Sequence, residues 1–170
     1  NGVVIYTRMN ASEGAEVKGI NLEFNASPNR RLQFQTGLTL QQSKYEEPQQ
    51  FDEKRFFRSP GQYGYATFSW NPIPVFSISA TGNYTGKMLI PYFGPRIQNP
   101  DSGVLVTSDP FMDAGLRLSY DFKLTRSVKM QLNGGIKNIF NSYQNDFDAG
   151  VNRDPAYIYG PVSPRAIYFG

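Results

Sequence analysis

The chain of 170 residues contains neither His nor Cys. Without imidazole there is no ordinary general base near neutral pH, no Ser-His or Cys-His pair and no histidine metal site. Without thiol there is no thiolate nucleophile, disulfide framework or cysteine metal cluster. Carboxylates, guanidinium groups and phenols remain. Glu46, Glu47, Asp52 and Glu53 lie among Lys44, Lys54, Arg55 and Arg58. Acid–base work needs two carboxyl groups at a fixed separation in a cleft, whereas neighbours in a Gln- and Pro-containing stretch read as a solvated, self-compensating charge cluster. Asp146, Asp148, Asn152 and Asp154 offer hard oxygen ligands around Gly150, so calcium is one reading of that stretch. Its spacing departs from an EF-hand and no bidentate Glu follows, which leaves turn chemistry as the other reading. Pro91-Tyr92-Phe93-Gly94-Pro95-Arg96 and Tyr157-Ile158-Tyr159-Gly160-Pro161 set aromatic rings beside Arg96 and Arg153. Such rings and guanidinium forks suit aromatic, carboxylate or phosphate-bearing ligands, and they serve equally for packing one loop on another. The candidate ligand-binding residues are Tyr92, Phe93, Arg96, Asp146, Asp148, Arg153, Tyr157 and Tyr159. No catalytic set and no metal set is assigned, and the chain is expected to be neither an enzyme nor a cofactor protein.

The elements that must carry these loops follow a period of two. Ile20, Leu22, Phe24 and Ala26 alternate with Gly19, Asn21, Glu23 and Asn25, and after Ser27-Pro28-Asn29-Arg30 the pattern resumes from Leu32 to Gln41. It recurs over 63–70, 76–85, 112–122 and 128–137, with shorter candidates at Val3–Arg8 and Arg165–Gly170. This is the signature of half-buried strands, and helical periodicity is nearly absent. Across the six longer segments one face has 29 positions and no charge, although the chain is 18% charged and chance placement would put about five there. The opposite face has 28 positions and carries no Leu, Ile, Val, Met or Phe. A soluble sandwich seldom backs its core with a face so rich in Gly, Asn, Gln, Ser and Thr; the wall of a water-filled barrel does. A net charge of +3 is too mild to argue for nucleic acid.

Connection lengths point the same way. Residues 27–31, 71–75 and 123–127 are tight turns, and 43–62, 86–110 and 138–164 are long loops. Strict alternation of short and long places every long loop at one end, as in outer-membrane barrels with periplasmic turns and external loops. Strands of this length suit a tilted crossing of about 9–11 residues. Tyr63, Trp70, Tyr84, Tyr120 and Phe122 fall near strand ends, where interfacial aromatic girdles sit. The expected fold is all-β, an antiparallel up-and-down transmembrane β-barrel over residues 1–170, located in the cell outer membrane.

The C-terminal third suggests a family. Leu132-Asn-Gly-Gly-Ile-Lys-Asn-Ile-Phe-Asn-Ser-Tyr-Gln-Asn-Asp-Phe-Asp148 resembles the "x-V-x-N-L-F-N-x-Y" segment near the end of TonB-dependent outer-membrane receptors. Arg153-Asp-Pro-Ala-Tyr-Ile-Tyr-Gly-Pro161 followed by Pro164-Arg-Ala-Ile-Tyr-Phe-Gly170 is similar to their closing "Y-x-x-G-x-P-R-x-Y-x-x-G" stretch. Gly19-Ile-Asn-Leu-Glu23 resembles the strand that enters the last third of such barrels, and Asn83-Tyr-Thr-Gly-Lys-Met88 is similar to the Bacteroidetes type. The resemblance implies a barrel of about 22 strands, of which this chain would supply the last seven or eight. It also implies an N-terminal plug, absent here, that couples to the TonB complex and drives import of a scarce nutrient such as a ferric siderophore or cobalamin. The loop aromatics would then face a siderophore's catechol rings. The expected partners are outer-membrane lipid, the TonB complex through the missing plug domain and a small nutrient ligand. Alone, the segment is expected to close on itself, pair edges as a dimer or depend on detergent. The competing readings are a complete small outer-membrane barrel with a structural or adhesin role, an outer-membrane enzyme (disfavoured by the missing His) and a soluble β-sandwich binding module.

Overall fold

The computed structural model describes residues 13–170, so the expected strand at Val3–Arg8 lies outside the described residues. Nine strands follow one another: β1 (Ala15–Asn29), β2 (Leu32–Tyr45), β3 (Gln62–Ile73), β4 (Phe76–Thr85), β5 (Leu89–Tyr92), β6 (Val104–Thr107), β7 (Phe111–Lys123), β8 (Lys129–Lys137) and β9 (Ala166–Phe169). Seven of them form one antiparallel up-and-down sheet in the order β1-β2-β3-β4-β7-β8-β9, and β5 and β6 pair separately as a hairpin. Among the described residues β1 and β9 are the ends of the sheet and do not pair with each other. No described helix is long and apolar enough to cross a membrane, which says nothing of strands.

The register carries the alternation across the whole sheet. Leu22 lies opposite Leu38, Leu38 opposite Gly64, Gly64 opposite Tyr84 and Tyr84 opposite Met112. Toward the turn end, Leu32, Trp70, Ile78, Leu118 and Gly134 stand abreast. A slip of one residue anywhere would turn a strand's apolar set to the other face, so the continuity of these rows fixes the pairing. The polar rows are equally continuous: Glu23, Gly37, Tyr65, Asn83 and Asp113 are successive partners. Tyr63 pairs with Thr39 and Thr85 and so belongs to a polar row, outside any lipid-facing girdle.

Among the described residues no second layer covers the apolar rows. Leu22 keeps 58% of its surface exposed and Leu132 keeps 56%, and Ile20, Phe24, Leu38, Trp70, Leu118, Tyr120 and Met130 are exposed as well. An apolar surface running across seven strands far exceeds the patches a soluble monomer shows to water. It matches the outward band of an outer-membrane barrel. The polar face makes its own bonds: the Thr39 hydroxyl donates to Asn21 Oδ1 at 3.0 Å, and Gln131 Nε2 donates to Asp121 Oδ1 at 2.7 Å. A side chain at Gly37 would fall on the Tyr65 ring, which lies flat across this position.

The buried apolar cluster sits in the loops. Met88, Ile90, Tyr92 and Tyr157 are buried, with Ile97, Val106 and Tyr159 packed on them. The hairpin β5–β6, within the expected long loop 86–110, supplies much of this cluster. The loops therefore have a packed core, and the sheet that carries them does not.

Candidate functional site

The long loops converge beyond the ends of β4, β7 and β8. The loop after β8 is set at its root by Asn138 and Asn141, both at positive φ (50° and 54°), a conformation Asn tolerates better than most residues. Asn138 is buried; its amide donates to the carbonyls of Ser142 (3.2 Å) and Ser163 (2.9 Å), and its Oδ1 accepts from Ser142 N. This closes the neck of a loop of some two dozen residues. Further up, Gln144 is fully buried, donates to Tyr157 O at 3.1 Å and accepts from Tyr159 N and Gly160 N. Gln144 thereby holds the two halves of the loop together as a β-like ladder would.

Six of the eight expected ligand residues come together here. Tyr92 is buried, and its hydroxyl donates to Asp148 Oδ1 at 2.9 Å and accepts from Arg96 Nε at 2.8 Å. Arg96 also pairs with Asp148 Oδ1 at 3.1 Å and donates to Asp146 O at 2.9 Å. Its guanidinium carbon stands 4.9 Å from the Tyr92 ring centre and 5.4 Å from that of Tyr157. The Asp146 carboxylate accepts from both phenols, Tyr157 at 3.0 Å and Tyr159 at 2.9 Å. Asp148 Oδ2 accepts from Asp154 N, and Asp154 in turn accepts from Phe93 N and Ala156 N. Phe93 turns away toward Phe51 and covers Gly103, and Arg153 is exposed, donating only weakly to Gly150 O at 3.4 Å. The loop between β2 and β3 joins through Arg58, whose Nη1 donates to Ile158 O and whose N–H donates to Leu89 O. Gly94 is packed so closely on Asp148 and Tyr92 that a Cβ there would overlap both.

The electrostatics fit a closed network. Burial works against an ionised Asp148, but the Asp154 N–H, the Tyr92 hydroxyl and the Arg96 guanidinium outweigh it and hold the carboxyl below its ordinary value. Burial, reinforced by the bond to Asp146, pushes the Tyr159 phenol far above its usual range and raises Tyr157 in the same sense. These phenols stay neutral and serve as donors. In the β2–β3 loop the Arg55 side chain draws Glu53 down to about 2, an ion pair with Nη2 and Oε2 2.6 Å apart. Among the described residues no three metal-ligating side chains converge. Asp146, Asp148 and Asp154, read from sequence as possible calcium ligands, spend their oxygens on hydroxyls, backbone N–H groups and Arg96. Gln144 and Asn138 are not among the expected ligand residues; both lie in the run that carries the family resemblance, but nothing local marks either as buried.

Arg96 keeps 48% of its side chain exposed, and with the half-buried Tyr159 it gives the cluster a cationic and aromatic outer surface, from which Phe93 and Arg153 are set apart. Tyr92, Tyr157 and Asp148 lie beneath that surface. The arrangement can offer cationic and ring contacts to a ligand while its own carboxylates are hydrogen-bonded within the cluster.

Comparison with solved structures identifies the fold. The chain aligns over 91% of its length with 20% of the ferric-catecholate import receptor Fiu of E. coli K12, at a TM-score of 0.61 and 17% identity. It aligns over 90% of its length with 21% of the ferric enterobactin receptor PfeA of Pseudomonas aeruginosa, at a TM-score of 0.57 and 19% identity. A PfeA structure in complex with enterobactin gives 0.55 and 18%. No family model matches the chain, and no curated sequence does. The chain thus spans about a fifth of the length of these receptors. Its fold is all-β, an antiparallel up-and-down sheet that matches a segment of these receptors.

Proposed function

We propose that the chain forms the closing barrel segment of an outer-membrane active-transport receptor of the Bacteroidetes type. The cargo is a ferric siderophore, or a comparably scarce nutrient such as cobalamin, and the energy comes from TonB through a plug domain. The observation that carries this reading is the alignment of nine-tenths of the chain with ferric-catecholate and ferric enterobactin receptors, joined to apolar rows that no layer of the described residues covers. The loop cluster is its external ligand surface. Arg96 and Tyr159 meet the cargo there, and Arg153 and Phe93 meet it apart from the cluster, while Tyr92, Asp146, Asp148 and Tyr157 fix the positions of the first two. A share in a wide barrel is favoured over the complete small barrel because the chain aligns with only about a fifth of each of these receptors, and among the described residues β1 and β9 do not pair with each other.

The test is growth of an outer-membrane host that lacks its own catecholate receptors, supplied with the complete parent gene and a ferric catecholate as sole iron source. Growth that is abolished by Arg96→Ala with Arg153→Ala supports the reading. Absence of uptake of any ferric siderophore or cobalamin by correctly inserted protein overturns it.

A further inference from the structure

The run Asn83-Tyr-Thr-Gly-Lys-Met88 reaches the buried loop cluster only through Met88. Its Gly86 N–H donates to Gln62 O at 2.8 Å, and a Cβ at Gly86 would crowd that carbonyl, so the chain leaves β4 pressed against the start of β3. Met88 is then fixed by a reciprocal pair of bonds: its N–H donates to Ser108 Oγ at 3.0 Å and its carbonyl accepts from Ser108 N at 2.9 Å. Residues 55–61 are held on two sides. Gln41 N donates to Gly61 O at 2.8 Å and Gln41 Nε2 to Pro60 O at 3.1 Å, while Arg58 N donates to Leu89 O at 2.8 Å. Between the end of β2, this stretch and the root of the β5–β6 hairpin lies a pocket of about 260 Å³. Its charge has one sign. Lys87 and Arg55 line it with the hydroxyl-bearing Ser43, Ser59 and Thr107, and no Asp or Glu does. The loop end as a whole runs the other way, with seven Lys or Arg against nine Asp or Glu over 43–61, 86–110 and 138–164. Arg55 is already paired with Glu53 at 2.6 Å, whereas Lys87 has no ion pair among the described residues. Phe56, Met88 and Leu89 give the pocket an apolar part.

We propose that this pocket is a binding site for a compact organic anion, a carboxylate or phosphate group on a small carbon skeleton, with Lys87 as its counter-charge. An ammonium without an acidic partner, set among hydroxyl donors, selects negative charge. The apolar part selects an anion that carries carbon, because a bare inorganic ion gains nothing from Phe56 and Leu89. The volume sets the size. Pockets for drug-sized ligands run to about 300–1,000 Å³, so this one takes a single small ring or its equivalent and not a large metal chelate. The site is therefore separate from the Arg96 surface and independent of what, if anything, is imported.

The complete parent protein, in detergent micelles, is titrated calorimetrically with benzoate, phenyl phosphate and the neutral benzyl alcohol, and amide exchange locates what binds. At least one of the anions should bind saturably and about tenfold tighter than the alcohol, the factor that one charge-assisted hydrogen bond supplies. Which anion binds better tells carboxylate from phosphate, and either supports the proposal. Exchange should slow over 55–61 and 87–89 and stay unchanged over 157–160. Lys87→Gln should weaken the anion about tenfold without altering exchange in the unliganded loops, and Lys87→Arg should retain binding. Equal affinity for the anions and the alcohol overturns the proposal, without recourse to any variant. Anion binding that leaves exchange over 55–61 and 87–89 unchanged overturns it as well, as does an affinity indifferent to Lys87→Gln.

Discussion

At the scale of single residues, the loop cluster behaves as a small protein core built from polar parts. Gln144 makes three backbone bonds from full burial. Gln144→Ala strands the N–H groups of Tyr159 and Gly160 and should cost about 2–4 kcal/mol of loop stability, seen as faster amide exchange over 142–162 with the sheet unchanged. Gly94→Ala, which drives a methyl into Asp148 and Tyr92, should open the same loops. The cluster should also have a defined pH window. The depressed Asp148 carboxyl adds stability above its ordinary value of 3.8 that is lost as pH falls through its folded value. The raised Tyr159 phenol adds stability that is complete below its ordinary 10.0 and is lost as pH rises above it. Protease resistance of the loops should therefore be greatest between these limits and fall on both sides; a flat profile from acid to alkali would contradict the network. The types in this cluster were legible in the sequence, because aromatic, Arg and Asp residues crowd two loops. Their bonding was not, because Tyr92 meets Asp148 across 56 residues and no local pattern records such a meeting.

At the scale of elements, alternation disclosed the sheet and missed the hairpin. Six long segments carry enough period-two positions to declare both strand and face, and their rows align in the structure as the phases require. Leu89–Tyr92 and Val104–Thr107 have four residues each, the first includes Pro91, and neither is long enough for a period to stand out. Expected strand ends were short by several residues in β1, which runs from Ala15 to Asn29, because Glu16 and Lys18 continue the pairing without continuing the apolar row. The faces predict a contrast. Leu116→Arg places a charge mid-span, abreast of Ala80, Phe68 and Phe34, and should cost about 2–4 kcal/mol in a bilayer, whereas Gln35→Arg on the polar face should be nearly neutral. Folding equilibria in lipid vesicles measure both, and equal costs would contradict the assignment of faces. Ser119 also lies on the polar side, but it is buried between Ser77 and Asn133, so Ser119→Arg should be costly for steric reasons and is a poor comparator.

At the scale of the whole molecule, the unusual feature is the inversion of inside and outside. The sheet turns Leu, Ile, Phe and Trp outward along its rows, and among the described residues the packed apolar cluster lies in loops beyond its end. In water such a surface would drive association; in a bilayer it is satisfied by acyl chains, and the polar rows face an aqueous lumen. The absence of Cys allows the most direct measurement. Single cysteines placed at Leu22, Leu38, Ile78 and Leu118, and at Gln35, Ser79 and Asn133, carry nitroxide labels in the bilayer-inserted protein. Labels of the first group should be relaxed by oxygen, which concentrates in lipid, and those of the second by a water-soluble nickel chelate, with the alternation holding strand after strand. Uniform accessibility to the chelate at both groups, in protein that stays dispersed without detergent or lipid, would contradict the account.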